Sequence, residues 1–330
     1  MRKEIEVLRE FLNMSVFSAD EVFEKFATDT GGSIYEINGD KFYFKMGTRK
    51  DKILLVAHAD TIWDKRYERM GLEEDGSPKN PSPRDYSPAK IKENLLKFSS
   101  GSDEYGLGAD DRAGAAIVWL LKDTGNSVLI TDQEEIGAFS ARSIMENEEF
   151  REIINSHRYI LQFDLQGKKK FKCYGAGSED FKAMMEIKTK YDMLPNYSFT
   201  DVAILGQTIC GANLSTGYKS EHTPFETVNK LDWLNTVRVA KKLAQAKHQQ
   251  FYVEPDFAFK YMRDFNKKDY GSFSEEFNLY ESIDKEMDID DDLIISMKNS
   301  SLKDVDFDMG MNGFDKTKDI DNSQESEPGM

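Results

Sequence analysis

The chain has 330 residues, 39% of them hydrophobic and 12% aromatic, with a formal charge of −16. That is enough chain for one large core or two smaller ones in an ordinary globular composition. No apolar run approaches the roughly 20 residues of a membrane helix, and the acidic balance argues against nucleic acid, whose phosphates require clustered basic side chains.

The opening MRKEIEVLRE is charged throughout and lacks the apolar core of a secretory signal, so a cytoplasmic location is expected. Ile5, Leu8, Phe11 and Leu12 keep helical spacing, and Ser18 with Glu21 has the form of a capping box, which together predict two short helices. SIYEI and KFYFKM around NGD predict a hairpin. Next comes ILLVAHAD, residues 53–60, a buried strand that ends with His58 and Asp60 two positions apart. The period of a strand sends both side chains to one face at its C-terminal end, where ligands of open α/β sheets sit.

Residues 71–94 include GSPKNPSPRDYSP and predict an irregular excursion, either a lid or a plain surface loop. After it, apolar strands alternate with helices. A helix is predicted through AGAAIVWLLK, a strand at SVLITD, a helix over 137–154, a strand at YILQFD and a helix near 179–192. A strand around VAIL follows, then a long helix with Trp233, Val237, Ala240, Leu243 and Ala244 on one face. The expected fold is α/β, a mostly parallel central sheet with helices on both faces. Cys173 and Cys210 have no metal-type spacing and are expected to be buried apolar residues. His157 and His248 match no motif and are expected at the surface.

Domain organisation follows composition. Residues 1–255 read as one catalytic domain and 256–330 as an acidic, partly disordered extension. Its last fifty residues alone, 281–330, carry a net charge of −10. DIDDD within it lacks the glycine and terminal glutamate of a calcium loop and reads as a solvated acidic run.

Four further stretches place metal-binding residue types beside His58 and Asp60: GLGADDRAG with Asp110 and Asp111, TDQEEIG with Glu134 and Glu135, LQFDLQG with Asp164, and GYKSEHTPFET with His222. Each alone is weak, since paired acids are usually solvated and single histidines usually structural. Jointly, His, Asp, Glu, Asp and His fall in an order that a parallel sheet gathers at one edge.

On HAD, GADDRAG, EEIG, FD and EHTPFETVNKLD, roughly residues 50–250 resemble the co-catalytic di-zinc exopeptidase superfamily, which includes peptidase T and bacterial leucyl aminopeptidases. The resemblance implies that Asp110 bridges two divalent ions, with His58 and Asp164 completing one ligand set and Glu135 and His222 the other. It makes Asp60 the partner of the free ring N–H of His58, Glu134 the general base and Tyr197 a candidate oxyanion stabiliser. It also implies a cis peptide between Asp110 and Asp111. An extended segment would send Glu134 and Glu135 to opposite sides. Imidazole donors suit zinc, and a carboxylate-rich pair of sites also accepts manganese or cobalt.

One departure is clear. Only 58 residues separate Asp164 from His222, which leaves no room for the dimerisation domain that many relatives insert there. The expected activity is therefore removal of N-terminal residues from small peptides. The alternatives are a carboxypeptidase or N-acyl amino acid deacylase with the same metals, or a non-catalytic binding protein that keeps the fold. The sequence leaves the oligomeric state open.

Overall fold

The computed structural model describes residues 2–67, 91–195 and 198–254. All of these fall within a unit spanning Met1–Tyr280. Expectations for most of the excursion at 71–94, for Tyr197 and for the extension at 256–330 therefore lie outside the described residues.

Helices α1 (Arg2–Leu12) and α2 (Asp20–Thr30) are followed by β1 (Ser33–Ile37), β2 (Asp40–Lys45) and β3 (Leu54–His58). Next come β4 (Lys92–Glu93), β5 (Lys97–Ser99), α3 (Ala109–Leu121), β6 (Ser127–Thr131), α4 (Phe139–Glu146) and α5 (Glu148–Asn155). The chain continues through β7 (Ile160–Leu165), β8 (Lys170–Lys172), α6 (Glu179–Thr189), β9 (Asp192–Met193) and α7 (Asp201–Leu205). It closes with β10 (Gly211–Ser215), β11 (Tyr218–Lys219), β12 (Thr227–Asn229) and α8 (Lys230–Gln245).

Eight of these strands form the central sheet in the order β1-β2-β6-β3-β7-β10-β8-β9. Its middle, β6-β3-β7-β10, is parallel, while β1, β2 and β8 add antiparallel pairings at the flanks. The alternation of buried side chains along the strands divides the core in two. Leu55, Ala57, Val128, Ile130, Leu161 and Phe163 join α1, α2, α3, α6 and α8 on one face. Leu54, Val56, Leu129 and Ile160 join residues of α4 and α7 and Ile154 of α5 on the other. Strands buried on both faces have no polar side to show, which is why β3 is a continuous apolar run.

The hairpin forms as expected. Ser33 pairs with Phe44 through to Ile37 with Asp40, and Asn38 and Gly39 turn with φ of 56° and 91°, values that a two-residue primed turn requires.

Several expectations need correction. VAIL is helix α7, and the neighbouring strand is GANLS at 211–215. The helix predicted over 137–154 is two, because Asn147 adopts extended backbone and caps α5 by accepting a hydrogen bond from Phe150 N. The capping box does not close: Ser18 Oγ accepts from Asp20 N, and Glu21 accepts from Ser15 N.

A second sheet, β11-β12-β5-β4, is antiparallel throughout and has no counterpart in the sequence reading. It ties the segment after His222 to residues 97–99. Among the described residues no helix is long and apolar enough to cross a membrane.

Candidate metal centre

The parallel strands β3 and β7 deliver His58 and Asp164 side by side, His58 being the last residue of β3 and Asp164 the penultimate residue of β7. His58 Nε2 lies 3.1 Å from Asp110 Oδ1 and 3.6 Å from Asp164 Oδ1. The other ring nitrogen, Nδ1, faces Asp60, 3.1 Å from its carbonyl and 3.3 Å from Oδ1. Across Asp110, His222 Nε2 lies 3.4 Å from Oδ2 and 2.8 Å from Glu135 Oε2. One carboxylate thus stands between two imidazoles.

Backbone amides and neighbouring side chains fasten the acidic groups. Asp60 accepts the amides of Glu134 and Glu135, both at 3.2 Å, and the hydroxyl of Tyr67 at 2.6 Å. Glu135 Oε1 accepts Ile62 N at 2.9 Å. Glu134 and Glu135 do not lie in an extended segment: Gly137 N and Ala138 N both donate to Glu134 O and close a turn, so the alternation argument does not apply. Asp164 is held by Gln162 Nε2 at 3.0 Å, Thr200 Oγ1 at 2.9 Å and Tyr218 OH at 3.3 Å. The Asp110–Asp111 peptide is cis. Asp111 takes Gly114 N at 2.9 Å and His58 N at 3.2 Å, so both of its oxygens serve backbone amides.

The sequence reading overlooked Glu226. Buried within HTPFET, it accepts Gly108 N at 2.7 Å and Asp110 N at 3.0 Å and so holds the backbone that presents Asp110.

The two histidines expected at the surface are buried. His157 bonds Ile154 O at 2.9 Å and Ser127 Oγ at 2.7 Å, and His248 bonds Tyr159 OH at 2.9 Å. The hydroxyls that bond them, on Ser127 and Tyr159, are distant in sequence, so no local pattern announces their burial. Cys173 and Cys210 are free and buried, as expected.

The electrostatics is that of crowded acids. Burial raises Glu134 and Asp111 well above the usual carboxylate range. Burial and the neighbouring Asp110 push Asp164 up to about 7. Burial would depress His58, but Asp110, Asp164 and Asp60 outweigh it and raise the imidazole well above its ordinary value. Burial also opposes ionisation of Asp110, yet hydrogen bonds to His222 and His58 hold its carboxyl far below its usual range. Carboxylates held this close out of water require protons or cations among them.

The donor set fits a divalent cation. Donor atoms of His58, Asp110 and Glu135, and of His58, Asp111 and Asp164, lie within 4.8 Å of one another. The closest donor separations, 2.8 to 3.6 Å, bracket the edge of about 3.3 Å of a tetrahedron with zinc–N/O bonds of about 2.0–2.1 Å. The second of these sets contains Asp111, which the sequence reading did not assign to a metal.

No family model matches the sequence, and no curated protein matches it. Among solved structures, a tripeptidase from Staphylococcus aureus superposes with a TM-score of 0.51 at 11% identity, over 74% of this chain and 99% of that one. A TET aminopeptidase from a marine-sediment archaeon of the Thaumarchaeota superposes with a TM-score of 0.50 at 12% identity, over 79% of this chain and 99% of that one. The chain therefore shares the α/β fold of these two solved structures.

Proposed function

We propose that the chain is a metal-dependent aminopeptidase acting on short peptides with free N-termini. The observation that carries this reading is Asp110, whose Oδ1 and Oδ2 meet the imidazoles of His58 and His222 at 3.1 and 3.4 Å. In this reading Asp110 would help to hold both of two divalent ions. His58 and Asp164 would hold one of them and Glu135 and His222 the other, within a catalytic unit of residues 1–255 to which 256–330 is appended. Zinc suits these donors, with manganese and cobalt as alternatives.

Such ions, when bound, polarise a scissile carbonyl and make water a stronger acid. The remaining work falls to side chains. A carboxylate oxygen of Glu134 takes the proton of the attacking water and passes it to the nitrogen of the leaving amine. Asp60 fixes the ring of His58 through Nδ1 and, by accepting the amides of Glu134 and Glu135, keeps both glutamates in register with it. A centre this rich in carboxylates favours an ammonium over a second carboxylate. The described residues between Asp164 and His222 form short strands and two helices, with no separate domain to clamp a substrate's C-terminus.

Mass spectrometry of the metal-loaded protein with matched free, N-acetylated and C-amidated peptides tests the reading. Cleavage of the free and amidated peptides but not the acetylated one is expected. Loss on amidation with acetylation tolerated would replace it with a carboxypeptidase or deacylase.

A further inference from the structure

The connection between α1 and α2 offers four consecutive carbonyls, and all four accept hydrogen bonds from the segments around the centre. Ser15 O and Ser18 O accept from Arg112 Nη2 at 2.9 and 3.1 Å, Val16 O from Thr61 Oγ1 at 2.7 Å, and Phe17 O from Lys65 N at 3.2 Å. Arg112 also donates Nη1 to Ala59 O, the carbonyl between His58 and Asp60. Beside it, His58 N donates to Asp111 and His58 Nε2 meets Asp110. Three consecutive residues, 110 to 112, thus grip two consecutive residues, 58 and 59.

Arg112 is fully buried, its hydrogen bonds go to backbone carbonyls, and its Nε has no partner among the described residues. A guanidinium in that setting loses hydration without gaining an ion pair, so its presence is poorly explained by stability alone. We propose that Arg112 is a positioning residue of the metal centre, pinning the α1–α2 connection to the end of β3 and thereby setting where His58 and Asp60 present their side chains. The inference rests on the metal reading above.

Charge and position predict opposite signs. A cation that only offsets nearby acids repels a divalent ion, so a neutral replacement would tighten metal binding. A fork that fixes Ala59 O weakens metal binding when lost, and lysine keeps the charge while losing the fork. Zinc affinity of the full chain, measured by competition with a chromophoric chelator, should fall roughly 10- to 100-fold in both Arg112→Lys and Arg112→Met, as for other groups that support ligands from behind. Circular dichroism checks that each variant is folded.

Hydrogen exchange of the wild-type protein gives a readout that needs no variant. Because coupling is reciprocal, zinc should slow exchange in peptides covering 13–19 as well as in those covering 58–60. Folded variants within twofold of wild-type affinity, or a tighter methionine variant, would overturn the proposal. So would an unchanged 13–19 region if neither variant folds. A wild-type chain that takes up no zinc, manganese or cobalt removes the metal reading itself, which is a different failure.

Discussion

Two imidazoles stand at opposite ends of the parallel strands, and both are fully buried. His58 closes β3 among Asp60, Asp110 and Asp164 and is raised well above its ordinary value, those acids outweighing burial. His157 sits against Ser127, the first residue of β6, and burial brings it down to about 4 because its partners are a hydroxyl and a carbonyl. Depth alone therefore says nothing about an imidazole's role. The charge its partners carry separates the acid-rich end of the sheet from the packed one.

The sharpest way to break this comparison is to cut each end separately. At the His58 end, Glu134→Gln should lower turnover roughly 10²- to 10⁴-fold, the usual share of general acid–base catalysis, with metal content and thermal midpoint kept. Asp110→Ala should instead strip metal, which elemental analysis would record. Unchanged metal in that variant would remove Asp110 from its bridging role.

At the other end the expected effect is on stability. The folded chain keeps His157 neutral down to about 4, whereas the unfolded chain protonates it near 6.5. The unfolded state therefore binds the extra proton in that window, and stability falls as pH drops from about 6.5 to about 4, by up to about 3 kcal/mol. Denaturant midpoints across this range should show the slope in wild type and a flatter profile in His157→Asn, with peptide turnover near neutral pH unaffected. A variant that loses turnover but keeps the slope would reverse the two ends.

The smallest expected effect is a control in the turn between β1 and β2. Gly39 turns the hairpin at φ 91°, so Gly39→Ala should lower stability by about 1 kcal/mol through backbone strain. A chemical melt should register that loss with metal affinity unchanged.

What the sequence made legible was what repeats locally. The period of a strand aligned His58 with Asp60, and NGD between two alternating runs announced the hairpin. VAIL misled because four apolar residues suit a strand and a buried helix equally. Its true role shows at Gly211, where a Cβ would collide with Val202: the short helix lies directly on a strand that must stay small. Glu226, His157 and His248 were missed or misplaced for one reason. Each has a side-chain or backbone partner 30 or more residues away, and no short window along the chain contains both halves of that bond.

The small sheet has a kinetic meaning. Thr227–Asn229 pairs with Lys97–Ser99, strands about 130 residues apart joined over three residues, so the chain pays a long loop closure for a short ladder. His222 and Glu226 hang from that ladder, whereas His58 and Asp164 belong to the eight-stranded sheet. Openings that release the corner are therefore cheaper than openings that reach β3 and β7. The corner that carries His222 is expected to exchange its backbone amides faster than β3 and β7.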